Sequence, residues 1–498
     1  MENDLLEQSQ AINHELKSNS KQIHSTAGMN RKLFLAICAI VFGSAFQHGY
    51  NTPVFNNAKN IFSEWITDII SSENGTLSEI EINQRVINIF SWITSIFCVG
   101  GMVGGLSVGF FADSFGRKGS LFINLIFVLI AVILECGSKT FASYIMLCAG
   151  RFFIGVNSGL NAGIVPMYVS EITPVKSRGA VGSVYQLVVT ISILISTVLG
   201  MNYFLATAEL WPYLLAFTAI PAILQLFLLP LCPESPKYLM INNKESKAQK
   251  SLSWYRNGAD IVNEFNEMVT ENEGQKNSST VTYLELFTNP ILRTPLIIVL
   301  VIMSAQQLSG INAVFFFCND IFKQAGLSDK AAEIATVSVS VINVLMTFVS
   351  MVLVDKAGRK TLLLVGFGGM CIVSCILAIL MGHTAGNIVV SWICVLMVVL
   401  FVILFACGPG SIPWFLVSEL FNDSAKGKAT SLAVGINWFC NFLVGRFFLV
   451  IAEMLQGQVF FVFFGILIVV ILFIMKYVPE TKNKTVEEIT AGFRTKSY

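Results

Sequence analysis

The strongest interactions open to this 498-residue chain are between charges of opposite sign, and those charges come twice. Ala112-Asp113-Ser114-Phe115-Gly116-Arg117-Lys118 returns as Val354-Asp355-Lys356-Ala357-Gly358-Arg359-Lys360. Val169-Ser170-Glu171 returns as Val417-Ser418-Glu419, and Pro233-Glu234-Ser235 as Pro479-Glu480-Thr481. All three displacements are about 245 residues, a shared register that marks a duplicated architecture. Carboxylates beside guanidinium groups at fixed spacing form ion pairs that can hold in one conformation and break in another. Asp113, Arg117, Glu171 and Arg178 in the first half, and Asp355, Arg359, Glu419 and Lys426 in the second, are the candidates for such a gate. Charges that merely orient the chain are the alternative; recurrence of both signs favours the gate.

Nothing beside these charges suggests covalent chemistry. The eleven cysteines are scattered, almost all in apolar stretches, with no CxxC and no Cys/His cluster. They read as buried free thiols, neither disulfides nor metal ligands. Gly427-Lys428 is followed by Ala429, and Asn422 stands where a phosphate-binding loop needs glycine. The reading is therefore a non-enzyme with no cofactor and no nucleotide-driven step.

The elements that must carry these residues are set by hydropathy. Charged residues make up 13% of the chain and hydrophobic ones 54%, whereas a soluble protein carries about 25% charged residues. A net charge of +1 with no basic stripe excludes a nucleic-acid partner. Apolar runs long enough to cross a bilayer as helices fall near 33–54, 88–112, 120–137, 143–168, 181–203, 210–231, 295–320, 331–354, 361–381, 388–417, 429–451 and 457–477. Such lengths exclude a β-barrel. The first run is too long for a signal peptide and lacks a small-residue cleavage site, so it reads as an uncleaved span.

The twelve spans divide into 33–232 and 291–480, joined by a charged helical linker at 233–290 and flanked by polar tails at 1–32 and 481–498. Lys and Arg concentrate in the loops on one side, around Arg117, Lys176, Arg359 and Lys426. By the positive-inside rule that side is cytoplasmic, with both termini and the linker. The loop at 55–87 is then external, and its sequon at Asn74 is the candidate glycosylation site.

The stretches GRFFIGVNSGLNAGIVPMYVSEITPVKSRGA, PESPKYL, QQLSGINAVFFF, DKAGRK, GPGSIPWFLVSEL and PETKN resemble the sugar porter family of the major facilitator superfamily, most nearly the animal facilitative glucose transporters. The resemblance covers about residues 33–485 and leaves out the tails. It implies an all-α membrane protein of the major facilitator fold, with twelve transmembrane helices in two pseudo-symmetric six-helix bundles. The implied activity is alternating-access uniport of D-glucose and related hexoses across the plasma membrane. The partners would be the hexose and the bilayer; oligomeric state is not legible.

A hexose offers hydroxyls and no charge, so its site needs amides, which donate and accept, and aromatic faces. Polar side chains inside spans are costly and tend to face a cavity. Gln186, Gln306, Gln307, Asn312, Asn343, Trp414 and Asn441 match the family's hexose-contacting positions, and Asn437 lies one turn before Asn441. Phe405 matches an aromatic lining position, and Phe315 and Phe316 an outer-gate segment. Glycine stripes at Gly101, Gly105 and Gly109 and at Gly155, Gly159 and Gly163 should let helices approach closely. Gly408-Pro409-Gly410-Ser411-Ile412-Pro413 should weaken its span.

Proton-coupled sugar porters carry an Asp after the Gly-Tyr of the first span; here that residue is Asn51, facing Arg151 as partner of the missing acid. This favours uniport over proton symport. Met303-Ser304-Ala305 replaces the Gln-Leu-Ser of glucose-selective members, and Ala406 replaces a glutamate. Trp414 and Asn437 match the glucose type. A fructose-preferring uniporter remains the live alternative. A proton-coupled symporter is less favoured, and a non-transporting sugar receptor less still, since the tail is short.

Overall fold

The computed structural model describes residues 29–73, 77–174, 178–276, 281–382, 387–482, 484 and 488–489. Every regular element among them is a helix. The first bundle comprises α1 (Arg31–Asn51), α2 (Lys59–Glu73), α3 (Glu79–Thr140), α4 (Tyr144–Ile172), α5 (Arg178–Leu199), α6 (Trp211–Ala216) and α7 (Ala219–Leu228). The linker holds α8 (Pro236–Ile241), α9 (Glu245–Tyr255), α10 (Val262–Lys276) and α11 (Tyr283–Thr288). The second bundle comprises α12 (Pro290–Leu308), α13 (Ile311–Gln324), α14 (Asp329–Ala357), α15 (Arg359–Met381), α16 (Ile388–Cys407), α17 (Ile412–Leu420), α18 (Asp423–Leu455) and α19 (Phe460–Tyr477).

Ten helical stretches among the described residues are long and apolar enough to cross a membrane. Helix α3, with 62 residues, contains two spans, and the 22-residue α5 is also long enough. The spans expected at 88–112 and 120–137 thus belong to one assigned helix, broken at Gly116. Conversely, two expected spans are each split. The one at 295–320 breaks at Gly310 between α12 and α13, and the one at 388–417 breaks at 408–411 between α16 and α17.

Inside lipid, helices associate through close packing rather than hydrophobic exclusion, and here glycine supplies the closeness in an unexpected register. Gly100 and Gly104 of α3, not the expected Gly101, Gly105 and Gly109, receive α4. A Cβ on Gly100 would lie 2.1 Å from the Phe152 carbonyl, and one on Gly104 2.2 Å from that of Val156. Gly155 and Gly159 of α4 return the contact, against the carbonyls of Phe97 and Gly101. The Gly101–Gly105 stripe instead faces the other bundle, against Trp438 and Val434 of α18. One helix therefore carries two small-residue faces. One builds its own bundle and the other seats the partner bundle.

The linker docks beneath the first bundle. Tyr255 and Tyr168 both donate to the Pro233 carbonyl, at 2.6 and 2.5 Å. Arg256 reaches the Ile172 carbonyl at 2.8 Å while pairing with Glu264. Leu239, Met240 and Ala248 form a small core of their own with Phe265, Met268 and Val269.

Candidate functional site

The centre of the second bundle is built where two helices break. After Leu308 the chain turns through Gly310 (φ 96°) before α13 begins, and Phe463 packs where a side chain at Gly310 would stand. The second break, at 408–411, leaves backbone carbonyls without helical partners. Gln306 supplies them: its Nε2 donates to the carbonyls of Pro409 (2.8 Å) and Gly410 (3.0 Å). Asn437 of α18 closes the node. Its Nδ2 donates to Gln306 Oε1 (2.8 Å) and the Met303 carbonyl (3.0 Å), and its Oδ1 accepts from Gln307 Nε2 (2.9 Å). Asn312 donates to Gln307 Oε1. Four of the expected sugar-site amides, Gln306, Gln307, Asn312 and Asn437, thus form one buried network tying α12, α13 and α18 to the break before α17.

Asn441, one turn beyond Asn437, stands apart from that network. It is 5% exposed, its Oδ1 is buried without a partner, and its side chain makes no hydrogen bond among the described residues. The indole Nε1 of Trp438 is likewise buried and unpaired. Buried polar atoms are normally paired, so this unmatched donor and acceptor, one turn apart on α18, stand out beside the satisfied network. The ring of Trp438 lies 5.1 Å from that of His48 in α1, whose Nδ1 meets the Tyr185 hydroxyl at 3.3 Å. This aromatic group joins the two bundles.

The remaining expected site residues are dispersed. Gln186 on α5 is half-buried and Asn343 on α14 is buried; neither side chain forms a hydrogen bond among the described residues. Their two helices pack together, with Thr197 and Ser340 hydroxyls 3.2 Å apart. Phe405 is buried at the end of α16 beside Gly410, and Trp414 is half-buried in the first turn of α17.

At the end carrying the 55–87 loop, the bundles are hydrogen-bonded together. Asn56 donates to the Phe315 carbonyl (2.8 Å) and accepts from the Asn319 N–H (3.0 Å). Lys59 pairs with Asp320 at 2.9 Å, and Asn202 donates to Glu333 at 2.5 Å. Phe315 and Phe316 are buried at this junction. Arg446 crosses to the other bundle. It donates to Ser91 Oγ (2.8 Å) and Asn88 Oδ1 (2.6 Å) and lies over the Trp92 ring. The closure residues Asn56, Lys59, Asp320 and Arg446 were not among the expected gates. Their only signal was polarity at span ends, which loops share.

At the opposite end two of the repeated charge pairs meet, each within its own bundle. Arg117 holds Glu171 through Nε (2.9 Å) and Nη2 (2.7 Å), and Arg359 holds Glu419 through Nε (3.0 Å) and Nη2 (2.9 Å). Ser235 donates to Glu171 and Thr481 to Glu419. Each arginine follows a glycine of positive φ, Gly116 at 76° and Gly358 at 90°. A Cβ on either would strike the carboxylate of Glu234 or Glu480, so only glycine brings the backbone N–H groups onto it.

Glu234 accepts from the N–H groups of Arg117, Lys118 and Ser235, and Glu480 from those of Arg359, Lys360 and Lys482. Burial pushes the Glu234 carboxyl above the usual carboxylate range, against those N–H groups. Burial pushes Glu480 the same way, but the N–H groups of Lys482, Arg359, Lys360 and Thr481 outweigh it and hold its carboxyl low. Asp113, expected in the gate, is exposed and outside the pair. Lys426 is half-buried. The side chains of Arg178 and Asp355, and the whole of Asn74, lie outside the described residues.

The arrangement finds close parallels among known proteins. A family model described as "Sugar (and other) transporter" matches residues 35–493. Facilitated glucose transporter protein 1 of Caenorhabditis elegans is 41% identical over 465 residues, spanning 92% of this chain and 90% of that one. Human solute carrier family 2, facilitated glucose transporter member 3, is 40% identical over 471 residues, 94% and 93% of the two chains. The proton:xylose symporter XylE bound to 6-bromo-6-deoxy-D-glucose superposes with a TM-score of 0.76 at 26% identity, covering 93% of this chain and 99% of that one. A partially occluded inward open form of XylE from E. coli gives 0.76 at 25% identity, covering 92% and 100%.

Proposed function

Because this chain belongs to the Sugar (and other) transporter family, a family of carriers and not of enzymes, we propose that it carries D-glucose and related hexoses down their gradient by alternating access. The observation that carries the substrate reading is the pair of open polar atoms, Trp438 Nε1 and Asn441 Oδ1, beside an amide network already satisfied internally. A neutral sugar hydroxyl both donates and accepts, so it can meet both atoms without bringing in a charge. In this reading Gln186, Asn343, Phe405 and Trp414 line the rest of the path, and Gln306, Gln307, Asn312 and Asn437 hold the frame that the sugar touches.

Uniport is supported by Asn51. Arg151 donates to its side-chain oxygen and its carbonyl, both at 2.9 Å. The residue that meets this buried guanidinium is thus an amide that cannot titrate.

The chain is read as a plasma-membrane protein with both termini and the 233–290 linker in the cytoplasm, on the strength of the basic loops. The two bundles are taken as 33–232 and 291–480, with cytoplasmic tails at 1–32 and 481–498. The end joined through Asn56, Lys59 and Arg446 is then the external one, and the conformation faces inward. Phe315 and Phe316 belong to the external gate. The Arg117–Glu171 and Arg359–Glu419 pairs act as latches that hold the linker and the tail against their bundles in this state. Asn74 is proposed as an external glycan site.

Purified protein in liposomes tests this. Saturable D-glucose counterflow is expected, ending at equal concentrations inside and outside whether or not a proton gradient is imposed. Gradient-driven accumulation overturns uniport, and binding without counterflow would leave a receptor. Stronger competition by fructose than by glucose against labelled glucose would reverse the substrate assignment.

A further inference from the structure

Arg151 lies in α4 with 1% of its surface exposed. The groups packed on its guanidinium are neutral: the Asn51 side chain and carbonyl, and the rings of Phe97 and Phe55, at 4.6 and 5.0 Å. Its Nε–H has no partner. A buried cation needs a counter-charge, and Asn51 supplies only a dipole.

The counter-charge stands on the neighbouring helix. Glu135 of α3 is fully buried, at 0% exposure, and neither carboxyl oxygen has a partner. Its side chain packs on Gly150, next to Arg151, where a Cβ would lie 2.5 Å from Glu135 Cγ. Arg151 thus lies across the α3–α4 contact from this carboxyl, and the two are not in direct ionic contact. The other titratable groups facing the pair are Tyr50 of α1, Cys136 and Cys98 of α3, and Cys148 of α4. Tyr50 is engaged with the Leu214 carbonyl at 2.7 Å, and the Cys136 thiol with that of Pro212 at 3.5 Å. An ionised carboxylate without a hydrogen bond is costly in such a place, and a bound proton removes most of the cost. Arg151 opposes that by favouring the ionised form.

We propose that Glu135 is a proton-binding site whose occupancy sets the rate of hexose carriage. One proton from bulk water adds to the carboxylate and returns to it, with no other reactant. Arg151 transmits the change. When Glu135 is ionised the guanidinium is drawn toward it, and when Glu135 is protonated the guanidinium rests on Asn51. Asn51 ends α1, and Phe55 on Arg151 belongs to the 52–58 segment that also carries Asn56, which is bonded to the second bundle at Phe315. The charge of Glu135 thus bears on the closure between the bundles. This goes beyond the uniport reading, because the proton changes the speed of exchange and not its end point.

The test is tracer exchange of D-glucose in liposomes at equal pH on both sides, across about pH 5 to 8. Wild-type exchange should change at least about threefold along a one-proton curve, and Glu135→Gln should be flat while still binding glucose. A flat wild-type profile, or a curve that survives Glu135→Gln, overturns the site and leaves uniport standing. Accumulation driven by a pH gradient and abolished by Glu135→Gln overturns uniport, and with it a proton that acts on rate alone. Should Glu135→Gln fail to fold, infrared difference spectra of the wild type against Glu135→Asp decide. A protonated-carboxyl band that titrates with pH and moves in the Asp variant supports the proposal, and its absence overturns it.

Discussion

Replacing Asn441 with alanine should separate ligand binding from folding. The Asn441 side chain makes no hydrogen bond among the described residues, and its buried Oδ1 is unmet. Removing an unmet buried acceptor relieves about 1 kcal/mol of desolvation, while the small void left behind takes part of that back. The empty protein should therefore unfold at an unchanged or slightly higher temperature. The hexose, by contrast, loses one hydrogen bond worth about 1–1.5 kcal/mol, or roughly 5–13-fold in Kd.

Asn437→Ala, four residues away, should behave in the opposite sense. It deletes bonds to Gln306, Gln307 and the Met303 carbonyl, at about 1 kcal/mol each and about 3 kcal/mol together. Its main effect should be on thermal stability without sugar, with weaker binding as a consequence. Equilibrium binding of labelled glucose to the purified protein, beside thermal unfolding with and without sugar, measures both. If Asn441→Ala lowers the stability of the empty protein as Asn437→Ala does and leaves Kd unchanged, the division into frame and contact is wrong.

The two latches should differ despite their shared motif. The side chains of Arg117 and Glu171 are 8% and 9% exposed, against 17% and 22% for Arg359 and Glu419. Arg117→Ala should then cost about 3–5 kcal/mol in thermal or denaturant unfolding, and Arg359→Ala, better screened, about 1–2 kcal/mol; equal losses would contradict the burial argument. The two carboxylates that accept from the backbone N–H groups at these arginines, Glu234 and Glu480, should titrate oppositely. The Glu480 carboxyl, held low, contributes stability that is present above its unfolded value of about 4.3 and lost as pH falls through its folded value. Glu234 is held high, so its folded form gains on acidification and is penalised above its raised value. Glu480→Gln should flatten the acid limb of a pH–stability curve, and Glu234→Gln should raise stability near neutral pH; the reverse pattern would refute both assignments. At the end proposed to be external, Asn56→Ala with Lys59→Ala should favour opening by about 1–2 kcal/mol, or roughly 5–30-fold. An impermeant thiol reagent added outside would then label Ser340→Cys faster, and unchanged labelling would remove these residues from the gate.

The sites differ in how far residue type alone exposes them. The amides at Gln306, Gln307, Asn312 and Asn437 were legible because a polar side chain in an apolar run has few explanations. What they bond to was not: Gln306 serves carbonyls freed by a break 103 residues further along. The Gly101 stripe was legible as a packing face but not as the face of the other bundle, since Gly100 and Gly104 differ from it by one residue and about 100° around the helix. Glu135 passed without notice as one acid at the end of an apolar run.

By itself, the amino-acid sequence determined the twelve apolar spans, the two-fold repeat and its register, the basic side and the types of residue available to a sugar. These follow from the cost of placing charge or unpaired backbone in lipid, which acts on each segment alone. The tertiary structure alone decided which amides are spent on the frame and which remain open, and that the latches close within bundles while Asn56, Lys59 and Arg446 close between them. It also decided that a fully buried glutamate faces Arg151 where Asn51 carries no charge. Those outcomes rest on distances between residues from separate helices, which no segment displays by itself.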